Sequence, residues 1–218
     1  MRRISLFACL TIIVPTHGWA QSTGHDEAPY AVLSEAEEIA LARSAAPADV
    51  SADADIWVVK SGRYELARRG SNGNACLVGR NAALTDAFLE DSKRHLAPIC
   101  YDAEGARTVL QMEQRKLQLR LQGRTRDEVR ATIAEELASG ELPTPKRPAM
   151  SYMLSSGQQL YHSGNFAGNW KPHLMIYVPG LTEADIGFQD RSYRDIQVQN
   201  EGQPNAILVV VMADFIDP

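Results

Sequence analysis

Cys76 and Cys100 constrain this chain more than any other pair of positions. If their sulfurs are bonded, everything before the first is pinned to everything after the second. Neither belongs to a Cys-x-x-Cys redox motif, and two cysteines alone do not make a zinc site. Whether they pair depends on the compartment. Cysteines pair in exported chains and stay reduced in the cytosol.

The first 20 residues argue for export. Arg2 and Arg3 give a positive start, residues 4–14 form a short apolar run, and Gly18-Trp19-Ala20 ends in small residues. These are the three parts of a secretory signal. The apolar run is too short for a bilayer, which needs about 20 residues. Cleavage after Ala20 discards Cys9 and leaves Cys76 and Cys100 as an expected disulfide. The mature protein is then expected to be periplasmic or secreted, with no stable membrane insertion. Of 218 residues, 22 are basic and 27 acidic, a formal charge of -5. Signal removal takes away two arginines and no acid. A mildly acidic chain has no general attraction for nucleic acid or anionic lipid, so no nucleic-acid partner is expected.

The expected organisation is a signal peptide over 1–20, a flexible leader over 21–33, and a single globular domain over 34–218. Ser34-x-x-Glu37 is a capping box that starts a helix, and Pro47 stops it. Asp55–Lys60 and Arg63–Arg68 read as a hairpin around Ser61-Gly62. Residues 75–78 form a third strand carrying Cys76. Residues 81–96 are helix-compatible, ended by Pro98, and residues 106–122 are strongly helical. Thr125-x-x-Glu128 caps another helix, with Val129, Ile133 and Leu137 as its apolar stripe. These two helices should form a hairpin, followed by a stiff Pro-rich linker over 142–148. The last third is β-rich. Residues 149–154 and 159–161 flank a turn, and 173–178 and 206–212 are apolar enough for central strands buried on both faces. The fold class is α+β, an antiparallel sheet with helices, including the helical hairpin, packed on one face.

Candidate chemistry is sparse. Phosphate-binding loops and the Gly-x-Ser-x-Gly, Ser-x-x-Lys and His-Glu-x-x-His motifs are all missing. His162 and His173 flank a Gly/Asn-rich loop, where two imidazoles can supply a general base or share a metal. A third ligand is not near in sequence, so neither metal nor other cofactor is expected. Asp102 and Glu104 form either a carboxylate pair or acids favoured at the start of the next helix. Arg107, Arg115, Lys116, Arg120, Arg124, Arg126 and Arg130 interleave with acids, as on a solvated helix face. Trp57, Tyr161, Trp170 and Tyr177 are candidates for a ligand groove or for core.

Asn72-Gly73-x-x-Cys76, Cys100-Tyr101-Asp102-x-Glu104-Gly105, Pro172-His173-Leu174-Met175 and Asn200-Glu201-Gly202-x-Pro204 resemble a family of small exported bacterial proteins of unknown function. The resemblance implies export and a cysteine pair, and it brings no activity or catalytic residue. The expected function is therefore non-catalytic: an exported domain that binds something or supports the envelope. The alternative is a periplasmic hydrolase using His162 or His173 with Asp102 or Glu104.

Overall fold

The computed structural model describes residues 30–80, 94–162, 165–187 and 195–216. The expected signal, most of the leader and residues 81–93 of the expected helix lie outside them.

The architecture is α+β. Eight strands form one mostly antiparallel sheet in the order β2-β1-β3-β4-β5-β8-β10-β9. The strands are β1 (Asp55–Lys60), β2 (Arg63–Arg68), β3 (Ala75–Arg80), β4 (Leu96–Tyr101), β5 (Ala149–Met153), β8 (His173–Tyr177), β9 (Ile196–Gln199) and β10 (Ile207–Val211). β1 and β3 are the parallel pair. β6 (Leu160–His162) and β7 (Asn165–Gly168) form a separate ribbon. β6 thus pairs with β7 and not with β5, although the two segments flank one turn. At Ser61-Gly62, φ values of 49° and 82° give the hairpin the all-positive turn that suits strand twist.

Strand alternation divides the core into two layers. Leu77, Ile99 and Tyr101 face one side, with Trp57 and Val59 packed against them. There they meet α4 (Val109–Leu121) and α5 (Arg126–Ser139), the expected helical hairpin. Ile56, Cys76, Val78 and Cys100 face the other side, beneath Ala42 of α1 (Glu35–Arg43). Helices were expected on one face, and α1 covers the opposite one. Both capping boxes are formed, with Ser34 and Thr125 each accepting from the backbone N–H of the glutamate three residues on. Val129, Ile133 and Leu137 are buried as their spacing predicts.

Cys76 and Cys100 are bonded, directly opposite each other on β3 and β4, fully buried, with Cα atoms 4.0 Å apart. So short a separation marks the non-hydrogen-bonded kind of antiparallel pair. Two residues along, Val78 and Pro98 are therefore also such a pair, and the proline nitrogen points away from β3. On that side β4 meets β5 only at Cys100 and Tyr101. The missing N–H leaves no ladder bond unmade, so Pro98 sits inside a buried strand and does not terminate a helix. Residues 96–101 are strand, which corrects the expected helix end at Leu96.

The expected helix over 106–122 starts earlier and is broken. A short α3 (Ala103–Arg107) is capped by Asp102, and at Thr108 the backbone leaves helical geometry, with φ −125° and ψ −72°, before α4 begins. A short α2 (Ala48–Ser51) follows Pro47. The Pro-rich segment is tied down: Leu142 is buried and the Lys146 N–H donates to Glu104. β8 and β10 are interior strands, but only alternate residues such as Tyr177, Ile207 and Val209 are buried. Leu174, Ile176 and Leu208 are half-exposed, so one face alone is fully covered.

Candidate functional site

Asp102 and Glu104 are engaged away from His173. Asp102 Oδ1 accepts from the Gly105 N–H at 2.7 Å and caps α3. Glu104 accepts from the Lys146 N–H at 3.0 Å, from Arg107 at 2.7 Å, and pairs with Arg147 at 3.3 Å. The backbone donor first, and then Arg107, holds its carboxyl below the ordinary glutamate value. Both acids stand where a helix start favours negative charge. His173 opens β8, buried, with Nδ1 2.7 Å from the Lys171 carbonyl. That contact places the ring proton on Nδ1. Burial pushes the imidazole below its usual value, and the bond to Lys171 opposes the shift only in part. His162 is exposed at the end of β6.

The ladder measures how far apart these groups lie. The Asp102 N–H donates to Met150, which sits opposite Ile176, whereas His173 sits opposite Met153. Three strand residues separate the two positions, roughly 10 Å. An acid and a base that far apart do not share a proton. Among the described residues no group of three metal-ligating side chains forms.

The basic residues of the helical hairpin are largely matched. Arg115 makes a two-pronged contact to Glu136 at 2.6–3.0 Å, Lys116 pairs with Glu113 at 2.7 Å in the core, and Arg124 and Arg130 pair with Glu128 and Asp127. Beside the Glu113–Lys116 pair lie Tyr64, Tyr101 and Tyr177, whose phenols burial raises far above their usual range. The Tyr101 and Tyr177 hydroxyls interact with each other in this layer. A cavity of about 10 Å³ next to Tyr177 has room for one water and no ligand.

Among the described residues an open cleft of about 800 Å³ is of ligand size. Its walls come from the loop after β7 (Gly168 to Pro172, with Phe166 before it), from Asp195 ahead of β9, and from the chain beyond β10 (Val211 to Phe215). Backbone bonds hold these walls together, Met212 N–H to Pro172 at 2.7 Å and Val211 N–H to Asp195 at 2.8 Å. Lys171 and Asp195 face each other at 3.2 Å.

The cleft's rings are braced from behind. Phe166 meets Tyr161 edge-on at 5.9 Å, and Tyr161 and Trp170 each lie 6.2 Å from the His95 ring. His95 is fully buried, and its Nδ1 accepts the Tyr161 N–H at 3.0 Å. The Arg94 guanidinium covers the Tyr161 ring at 4.2 Å. Of the four aromatic candidates, Trp170 lines the cleft, Tyr161 supports it, and Trp57 and Tyr177 belong to the core.

Sequence reasoning missed His95, which it placed at a helix end, and it missed Asp195, Met212 and Phe215. The one signal available was a tryptophan set between polar residues in Asn169-Trp170-Lys171-Pro172. Comparison with protein-family models, curated proteins and solved structures finds no match. No helix among the described residues is long and apolar enough to cross a membrane.

Proposed function

We propose that this chain is an exported, non-catalytic binding domain of the bacterial periplasm or exterior, and that the aromatic cleft is its ligand surface. The observation that carries the reading is Phe166, a large apolar ring 60% exposed yet held in a T-shaped contact with Tyr161. A ring held rigid in water has surface to gain from a ligand and little conformational freedom left to lose. The engagement of the acid and imidazole candidates in caps, ties and a strand end supports binding over hydrolysis. The signal-like first residues, the bonded cysteines and the resemblance noted above support export.

Trp57 and Trp170 are the tryptophans beyond residue 20. In a Trp57→Phe background, emission therefore reports on the cleft alone. The test is a screen of the mature protein for ligands that raise its melting temperature, since binding to the native state stabilises it. Hits are expected to change Trp170 emission and to be lost in Trp170→Ala. A hydrolytic activity abolished by His173→Gln or His162→Ala would overturn the reading.

A further inference from the structure

Resting on that reading of the cleft, we propose that its ligand is a neutral carbohydrate chain, bound with its sugar rings stacked on Phe166 and Trp170. Three observations select this class. The first is charge. Lys171 is the cation and Asp195 the anion among the described lining residues, and they neutralise each other at 3.2 Å. Among the described lining residues a phosphate, nucleotide or acidic peptide finds no unpaired cation. Among the same described residues a basic ligand finds no unpaired carboxylate.

The second is the mixture of surfaces. Polar Asn169 and Lys171 alternate with Trp170 and Pro172, so the cleft presents aromatic faces beside hydrogen-bonding groups. An acyl chain or apolar peptide would bury the ion pair without replacing its water contacts, which is costly. Sugar hydroxyls replace them. Lys171 has three donor protons and its bond to Asp195 uses one, while the carboxylate retains further acceptor sites. Asn169 uses one amide proton on the Ser156 carbonyl, and its own carbonyl can still accept. The C–H face of a pyranose is apolar and flat enough to lie on an aromatic ring, while its edge carries the hydroxyls. Few other neutral ligands combine both.

The third is shape. The volume of about 800 Å³ lies within the ligand-site range, and the cleft is open to solvent rather than enclosed. Two braced rings at the wall of an open cleft suit contact with more than one sugar unit. His95 and Tyr161 fix the rings in place before the ligand arrives, which reduces the ordering cost of binding.

The experiment titrates the mature Trp57→Phe protein with tetramers of β-1,4-linked glucose and of β-1,4-linked N-acetylglucosamine, and separately with an uncharged apolar tetrapeptide. Ligand-observed saturation-transfer NMR on the unsubstituted protein repeats each titration without relying on a variant. The expected result is a saturable change in Trp170 emission with at least one saccharide. Its affinity should be insensitive to added salt and should fall about tenfold or more in Phe166→Ala. Saccharide binding that Phe166→Ala leaves unchanged lies elsewhere and overturns the assignment. Saturable, Phe166-dependent binding of the peptide but of neither saccharide also overturns it, while leaving the binding reading intact. Silence from all three probes overturns the carbohydrate assignment. If the wider ligand screen is silent as well, the binding reading falls with it.

Discussion

Replacing Cys76 and Cys100 together with alanine measures what the cross-link contributes. The bond joins residues 24 apart in sequence. In the chain-entropy account, a loop of that size restricts the unfolded chain by roughly 3.5 kcal/mol. Both sulfurs are fully buried under α1, so alanine also removes packed atoms, at about 0.5–1.5 kcal/mol per site. The expected loss is therefore about 4.5–6.5 kcal/mol, a large share of the roughly 5–15 kcal/mol that holds a domain together. With an m-value of about 2 kcal/mol per molar urea, the midpoint should fall by about 2–3 M. Serine in place of alanine at position 76 should cost a further 1–3 kcal/mol or so, because its hydroxyl would enter an apolar layer, whereas at position 100 the Ala42 carbonyl lies 3.7 Å from the sulfur position. Urea unfolding followed by tryptophan emission reads all of this, and m should rise as the freed chain expands. A double-alanine midpoint within about 0.5 M of the parent, with unchanged m, would refute the reasoning. So would two titratable thiols in denatured parent protein that has met no reductant.

Three further outcomes are expected. His173→Gln should remove a pH dependence: with the folded pKa depressed by burial, the parent has this contribution in full above 6.5 and loses it as pH falls, by at most about 1.4 kcal/mol per pH unit. Urea midpoints across that range should show the slope in the parent and not in the variant, with ligand binding at the cleft unchanged. Glu38→Gln should cost about 3–5 kcal/mol, because the Arg80 guanidinium it meets at 2.8 Å is as buried as Glu38 itself and would lose its counter-charge. Paired leucines at both positions should cost less than the sum of the single changes in the same assay. Gly70→Ala should destabilise by more than about 2 kcal/mol, since a Cβ there overlaps the backbone of Asp53 to Asp55; unchanged thermal unfolding would show that the loop gives way.

The parts of the fold legible in the sequence are those fixed by local chemistry. Two capping boxes, a Ser-Gly turn with positive φ at both residues, and alternation in β1 and β2 depend on neighbours within a few positions. The α+β class follows from them. The misreadings lie where long-range pairing overrides a local rule. Leu-Ala-Pro-Ile-Cys-Tyr is a short apolar run that periodicity cannot assign. Pro98 suggests a helix end until the register of Cys76 and Cys100 turns its nitrogen to the unpaired side of β4. The second face of the sheet was missed for a related reason. α1 has only a weak apolar stripe, and what holds it in place includes buried Glu38, which accepts the Val59 N–H at 3.1 Å and pairs with Arg80.

The cleft was hidden for a different reason. Its residues come from the β7–β8 loop, from Asp195 and from the chain after β10, brought together because β8, β10 and β9 are neighbours in the sheet. Before that order is known, His162 and His173 are the conspicuous pair, since one Gly/Asn-rich loop joins them. The strands separate their environments. β8 carries His173 into the interior, where its Nδ1–H meets the Lys171 carbonyl, and β6 leaves His162 at an exposed ribbon end. What the loop brings to a common surface is Phe166 and Trp170, braced by His95 and by Tyr161 from the strand that also carries His162. A histidine motif in the sequence thus becomes an aromatic platform in the fold. In the proposed reading, Phe166→Ala, rather than a change at either flanking histidine, is expected to lower binding with little loss of stability.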